Sequence, residues 1–357
     1  MGSAPFAVRL SGSSFAGKPM AGALQPGTAA RVFTGAMMPV GSDTVILQEN
    51  VTVGRADGIT FSEQPLAGRW VRPAGHDVRV GAELMPSGRA LNAFDLAALT
   101  ASGLTEVSVH RQLRLAVFST GDELRSPPAP LRPGEIYDSN RLVLQQLLAQ
   151  LPIAVTDLGI LPDDPTAIRA TLADATRTHD VILTSGGVSV GDADFVREAW
   201  LGIGTLDFWK IALKPGKPLA YGRAGNATGR AGNATGRAGN ATHFFGLPGN
   251  PVSTIVTFLL IVKPMLARLA GAMDQSELRV SAIATHVIEH EPGRAEYQRG
   301  IYRVGVDGLE VTVTGDQSSN RIGSFSGANC LIELPKENPG VLAGARVQIL
   351  PLRGLLG

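Results

Sequence analysis

Only one cysteine, Cys330, stands in the 357 residues, so no disulfide can close within the chain, and that scarcity is compatible with a reducing compartment. Aromatic residues are scarce too, at 5% of the sequence. Charge of either sign is not in excess: the formal net charge is +1, which calls for neither nucleic acid nor a membrane surface as partner. Long apolar runs are missing as well. The best one, around residues 255–265, is interrupted by Lys263 and Pro264. The first residues lack a basic segment followed by an apolar core, so no signal peptide is expected. Cytoplasmic localisation is the resulting expectation.

What the sequence does have is 43 glycines, 23 prolines and 44% hydrophobic residues. That mix suits loop-rich α/β and β domains better than helical bundles, and the length suggests more than one domain. Residues 1–70 carry short β-branched runs, at 45–47, 51–53 and 59–61, and read as a small β domain. Ala56-Asp57-Gly58 lies between two of these runs as a hairpin turn. Residues 71–112 read as a connector with one helix, capped by Asn92 and ending near Gly103.

Residues 113–272 alternate strand and helix. Apolar runs at 113–118, 154–158 and 181–184 predict strands. A helix from Ser139 with Asp138 or Ser139 as cap, and another with Pro165 in its first turn, fall between them. Short connections and this alternation predict a mainly parallel sheet with helices on both faces, which binds ligands at the carboxyl ends of its strands. A helix over 252–269 follows. Residues 273–357 return to short strands, at 280–284, 297–304, 309–313 and 345–350, and read as a C-terminal β-barrel-like domain. Residues 222–242 are the unit Gly-Arg-Ala-Gly-Asn-Ala-Thr written three times. With two glycines per unit and no apolar seam it is not a coiled coil, and it reads as a solvated loop that projects outward.

Four loops after strands carry chemistry. Ser119-Thr120-Gly121-Asp122-Glu123 offers hydroxyls and adjacent carboxylates, although a polar turn would look the same. Residues 185–194 begin Ser185-Gly186-Gly187 and include Ser189 and Asp194. Paired glycines expose amides that can hold an anion, and Asp194 could cap a helix or hold magnesium. Residues 208–218 place Lys210, Lys214 and Lys217 among apolar neighbours and a Pro-Gly-Lys-Pro turn, which suits phosphate or another oxyanion. Gly246-Leu247-Pro248-Gly249-Asn250-Pro251 makes a rigid turn before a helix. Asp163-Asp164-Pro165 adds two carboxylates on the same expected edge, Asp164 as a helix cap and Asp163 as the stronger site candidate. The six histidines show no metal-ligand spacing and read mostly as surface residues, and Cys330 reads as a buried small residue.

Taken together, these loops resemble the MoeA family, the molybdopterin molybdenumtransferases, which include the E domain of gephyrin. The resemblance rests on Thr34-Gly35-Ala36, on Phe118 through the acidic turn to Leu124, on Ile136-Tyr137-Asp138-Ser139-Asn140, on 185–194, on Lys214-Pro215-Gly216-Lys217-Pro218 and on 246–251, and it extends over nearly the whole chain from about Ser14. It implies an enzyme of molybdenum-cofactor biosynthesis that inserts molybdate into adenylylated molybdopterin with release of AMP, assisted by Mg²⁺. By position, Glu123, Asp163 and Asp194 become the catalytic and Mg²⁺-binding acids. Ser189, Lys214 and Lys217 become the molybdate pocket, and Lys210 contacts a phosphate or the pterin. Ser119, Thr120, Gly121, Asp122, Ser185, Gly186, Gly187, Pro248, Gly249 and Asn250 line the ligand. Thr34 and Asp77 reach in from the small domains, and Arg299 and Ser319 are looser carry-overs. A homodimer, and other cofactor-assembly proteins as partners, are implied as well.

Two departures from the family stand out. The family's Ser-Ala-Met-Asp-Gly-Tyr-Ala segment is absent, so the small β domain is expected to be N-terminally incomplete, and the tandem repeat interrupts the run into 246–251. Two further readings stay open beside the enzyme: a molybdopterin-binding scaffold without catalysis, and a MogA-type adenylyltransferase, which shares the Gly-Gly-Val-Ser loop.

Overall fold

The computed structural model describes residues 5–187, 195–225, 241–273 and 277–353. The chain divides into two compact units, Met1–Met85 with Phe94–Leu104, and Pro86–Ala93 with Thr105–Gly357.

The first unit holds a four-stranded sheet of β1 (Phe6–Ser14), β2 (Thr28–Val32), β3 (Val51–Val53) and β4 (Gly58–Phe61), in the order β2-β1-β4-β3. The β3–β4 hairpin is the one its sequence announces: Ala56 and Asp57 take φ of 55° and 60°, the left-handed pair that turns antiparallel strands back on themselves. The run at 45–47 forms no strand; the Val45 amide instead donates to the Arg69 carbonyl at 3.3 Å, within a loop. Helix α1 (Ala93–Ala101) starts directly after Asn92, where the cap places it.

The second unit is α/β. Its strands and helices run β5 (Leu113–Thr120), β6 (Leu124–Arg125), β7 (Ile136–Tyr137), α2 (Ser139–Leu148), β8 (Ile153–Leu161), α3 (Pro165–Thr178), β9 (Val181–Ser185), α4 (Phe195–Leu201), β10 (Thr205–Lys210), β11 (Leu213–Lys214), β12 (Pro218–Ala224) and β13 (Thr242–Leu247). The main sheet has the order β10-β12-β13-β9-β5-β8. β13, β9, β5 and β8 are mutually parallel, and β12 and β10 continue the sheet antiparallel.

Alternation along the strands sorts side chains into two cores. Leu113, Leu115, Val117, Leu183 and Phe245 face α2 and the helix after β13. Ala116, Phe118, Ile182 and Phe244 face α3 and α4, where Trp200 stacks on Phe244 at 4.5 Å between ring centroids. Both helix starts read from the sequence are real caps: Asp138 accepts from the Arg141 amide at 3.1 Å, and Asp164 from the Thr166 amide at 2.9 Å. The tandem repeat begins inside β12 and ends in β13, whose Ala224 and Thr242 are register partners; its central residues, 226–240, fall outside the described residues.

The helix after β13 is continuous from Pro251 to Leu269. It runs as α5 (Pro251–Thr257), a π-helical turn Phe258–Val262 and α6 (Lys263–Leu269). Over its 19 residues it is long and apolar enough to span a membrane, contrary to the reading of an interrupted run, yet Val256, Phe258, Leu259, Val262 and Leu266 are buried in the domain core.

Beyond it, β14 (Val280–Ala284), β15 (Ala295–Gly305), β16 (Gly308–Val313), β17 (Cys330–Leu334) and β18 (Arg346–Pro351) form a closed barrel, because β15 pairs with both β16 and β17. β17 was not read from the sequence; its five residues bury nearly every side chain and so show no alternation. Short β11 leaves the main sheet and pairs in parallel with β15, joining barrel and α/β layers.

The opposite, amino edge of the main sheet is held by one buried carboxylate. Asp180, 2% exposed, accepts two hydrogen bonds from Arg111 at 2.7 and 2.8 Å and one from the Arg114 amide at 2.9 Å. Burial works to raise its pKa, but the Arg111 hydrogen bonds, the Arg114 amide and both guanidinium charges outweigh it and hold the group below the usual carboxylate range. Because the folded value is depressed, this stabilisation is present above the unfolded pKa and is lost as pH falls through the folded one. Asp180→Asn is expected to cost about 2 kcal/mol near neutral pH. The gap to wild type stays constant above about pH 5 and narrows below about pH 4, read by denaturation across pH. Cys330 gives a second check. Burial pushes its thiol up to about 12. Its labelling by a thiol reagent is expected to track global unfolding rather than proceed in the native protein.

Candidate active site at the carboxyl edge of the sheet

Strand register fixes the site before any side chain is considered. Ser119 is opposite Ser185, Ser185 is opposite Leu247, and Thr120 is opposite Leu161. The loops after β5, β9, β13 and β8 therefore leave the sheet at one level. β10 runs parallel in sense to these strands through antiparallel β12, so Lys210, paired with Pro218, ends at the same edge.

The β5 and β8 loops are tied to each other. The Thr120 hydroxyl donates to Asp163 Oδ1 at 2.6 Å, the Asp163 amide donates to Asp122 Oδ1 at 3.2 Å, and the Asp122 amide lies 3.4 Å from Asp163 Oδ2. Gly121 has φ of +149°, and a Cβ there would lie 2.5 Å from a Glu123 carboxylate oxygen, so glycine is what lets Glu123 fold back over the turn. After β9 the backbone turns left-handed at Gly186 and Gly187, with φ of +89° and +67°. A Cβ on Gly187 would meet Val196 at 2.4 Å and Thr120 at 2.7 Å. Asp194 and Ser189 lie outside the described residues.

Asn140, in the first turn of α2, clamps two loops at once. Its Nδ2 donates to Ser185 Oγ at 2.8 Å and to the Gly249 carbonyl at 2.6 Å. The sequence singled it out only as part of a motif, because a contact spanning 109 residues is invisible in spacing. Beneath this edge, Ser119 Oγ and Asn140 Oδ1 are buried with no hydrogen-bond partner among the described residues. Buried polar atoms of this kind carry a cost unless something else satisfies them.

The lysine turn is wedged against the helix: Pro215 and Gly216 are buried, and a Cβ on Gly216 would lie 2.4 Å from the Thr257 methyl. Lys210 and Lys217 are exposed, whereas Lys214 is half-buried. Asn250 and Pro248 sit at the start of the long helix, where Thr254 Oγ1 donates to the Pro248 carbonyl at 2.6 Å.

The barrel contributes a loop to this turn. Ser319 Oγ accepts from Asn250 Nδ2 at 2.9 Å, and its carbonyl accepts from the Val252 amide at 3.1 Å. Arg299 lies behind that loop, 1% exposed. Its guanidinium donates to Ser324 Oγ at 3.0 Å and to the Asp316 and Ser318 carbonyls at 3.4 and 3.2 Å. Burial brings the Arg299 pKa down to about 10 against the opposing charges of Asp316 and Glu296. In this structure Arg299 thus shapes the Ser319 loop from inside.

Thr34 and Asp77 belong to the other compact unit. Thr34 follows β2 in the turn closed by the Ala36 amide on the Phe33 carbonyl, and Asp77 lines an open cleft with Gly75, His76 and Glu83. Two histidines are less superficial than their sequence suggests: His290 is buried, and His243 Nδ1 meets the Tyr221 hydroxyl at 2.9 Å.

Among the described residues, no group of three or more His, Cys, Asp or Glu is arranged to hold a metal ion. Glu123 and Asp163 nevertheless supply hard oxygen donors of the type Mg²⁺ takes, usually one or two carboxylates completed by ligand oxygens and water.

Comparison with known proteins gives these elements a common context. Residues 3–103 match the MoeA N-terminal region (domain I and II), residues 116–268 a "Probable molybdopterin binding domain", and residues 281–352 the MoeA C-terminal region (domain IV). A molybdopterin molybdenumtransferase of Haemophilus influenzae is 41% identical over 350 residues, covering 98% of this chain and 83% of that protein. Gephyrin of Dictyostelium discoideum is 33% identical over 90% of this chain and 48% of its own length. The crystal structure of a molybdopterin biosynthesis MoeA protein from Pyrococcus horikoshii superposes with a TM-score of 0.76 at 27% identity, covering 97% of this chain and 82% of that one. With all three regions matched in order and a relative of this similarity spanned over most of its length, the chain belongs to the MoeA family of molybdopterin molybdenumtransferases.

Proposed function

We propose that this protein inserts molybdate into adenylylated molybdopterin as AMP leaves, at the carboxyl edge of the main sheet. The observation that carries the reading is the shared edge itself. Carboxylates tied by Thr120, two left-handed glycines and the lysine turn leave the sheet at one level. A pyrophosphate-linked pterin needs close approach to backbone, which the left-handed Gly186-Gly187 turn permits, although the Gly186 amide itself donates to the Leu247 carbonyl at 3.2 Å. Molybdate is a tetrahedral dianion, and Lys214 and Lys217 supply cations for it, while Lys210 serves a phosphate or the pterin. Glu123 and Asp163, with Asp194, would hold Mg²⁺, which neutralises phosphate charge when bound. Asn140 keeps the Ser185 and Gly249 loops at a fixed separation, so that the glycine turn and the helix turn address one ligand.

The deciding experiment is AMP release from adenylylated molybdopterin by the full chain. Release is expected to require both molybdate and Mg²⁺. Ligand binding without release would favour a scaffold, and ATP-dependent adenylylation of molybdopterin would favour a MogA-type activity. Glu123→Gln and Asp163→Asn are each expected to lower kcat about a hundredfold, with melting temperature little changed. Asn140→Asp removes both donated hydrogen bonds: the Ser185 hydroxyl can turn to donate to the new carboxylate, but the Gly249 carbonyl is left facing it in repulsion. It is expected to weaken ligand binding about tenfold or more, read by calorimetry, whereas unchanged affinity would remove Asn140 from the site.

A further inference from the structure

Lys214 sits on β11, whose residues Leu213 and Lys214 are register partners of Ala295 and Glu296 on barrel strand β15. Cross-strand partners project to the same face, and here they meet: Lys214 Nζ lies 3.2 Å from Glu296 Oε2. The two ends of this ion pair differ sharply in setting. The Lys214 side chain is 42% exposed, whereas the Glu296 side chain is 4% exposed.

A carboxylate so deeply buried needs positive charge on more than one side. The buried His290 ring stands behind it. Its Nδ1 is 2.6 Å from the Asn338 carbonyl and its Nε2 is 3.0 Å from the Arg294 carbonyl. His290 Nε2 is also 3.9 Å from Glu296 Oε2. Arg299, on the same strand, feels the Glu296 charge as well. Glu296 therefore has the Arg299 charge and the His290 ring on the barrel side, and the half-exposed Lys214 ammonium as its ion-pair partner from β11.

From this arrangement we propose that Glu296 is a positioning residue for the molybdate step, acting through Lys214 without touching substrate. The inference rests on the reading of Lys214 as part of the oxyanion pocket. A free lysine head group samples many rotamers, and ordering it costs free energy when a ligand binds. A buried carboxylate in fixed register bears that ordering in the folded protein instead, so the ammonium meets molybdate already placed. The barrel thereby contributes to a site built on another sheet.

The test is a double-mutant cycle in the full chain with Lys214→Met, Glu296→Gln and the pair. Molybdate KM and kcat are read from AMP release, molybdate binding from calorimetry, and melting temperature from thermal denaturation. Gln keeps the shape of Glu296 and removes its charge. Glu296→Gln is expected to raise molybdate KM about tenfold, with affinity for adenylylated molybdopterin retained. The double variant is expected to be no worse than Lys214→Met alone. Glu296→Asp, which keeps the charge, is expected to recover most of the loss, and it provides a second variant where Gln impairs folding. Additive losses in the double variant, or an unchanged molybdate KM in Glu296→Gln while Lys214→Met is impaired, would overturn the proposal. A normal molybdate KM in Lys214→Met would overturn the assignment of the lysine, and the proposal with it.

Discussion

The parallel register of β8, β5, β9 and β13 is the constraint from which the rest of the second unit follows. The central strands β5, β9 and β13 are buried on both faces and β8 closes the edge, so their residues divide between two cores, and a slip by one residue would send the side chains to the wrong side. With Ser119, Ser185 and Leu247 locked opposite one another, the loops that follow have no freedom in where they begin. Asp180 fixes the same strands at their other end through Arg111 and Arg114. The functional edge can then be built from loops that are individually ordinary, because the sheet supplies their common origin.

Much of this was legible in the sequence where local chemistry decides the outcome. Pro165 behind Asp164, Asp138 before Ser139 and the Ala56-Asp57-Gly58 turn each specify their element within a few residues, and each forms as read. The strand–helix alternation gave the α/β layers for the same reason. What stayed hidden depends on distant partners. The run at 45–47 has strand-like residues but finds no strand to pair with, and β17 has no alternation because the barrel interior and the long helix cover it from two sides.

The site shows the same division. Glycine-rich and lysine-bearing loops are visible as motifs because their backbone requirements are local. Asn140 bridging Ser185 to Gly249, and Glu296 behind Lys214, arise from contacts across 45, 109 and 82 positions of chain, which no spacing rule reports. Arg299 shows the same dependence on distant contacts. An arginine in a candidate site suggests an oxyanion contact, yet here it is enclosed and spends its donors on the carbonyls of the loop that carries Ser319.

The tandem repeat opens from the end of β12 and returns at the start of β13, at the amino edge of the sheet. β13 is six residues long, so the point of insertion is about 20 Å from the carboxyl edge where the strand delivers Pro248 and Gly249. Ala224 and Thr242 stay paired whatever lies between them, and the entropy of closing a longer connection grows only logarithmically. The connection between these two strands is thus a place where whole seven-residue units can be added or removed at small entropic cost, a strand's length away from the loops that address the ligand.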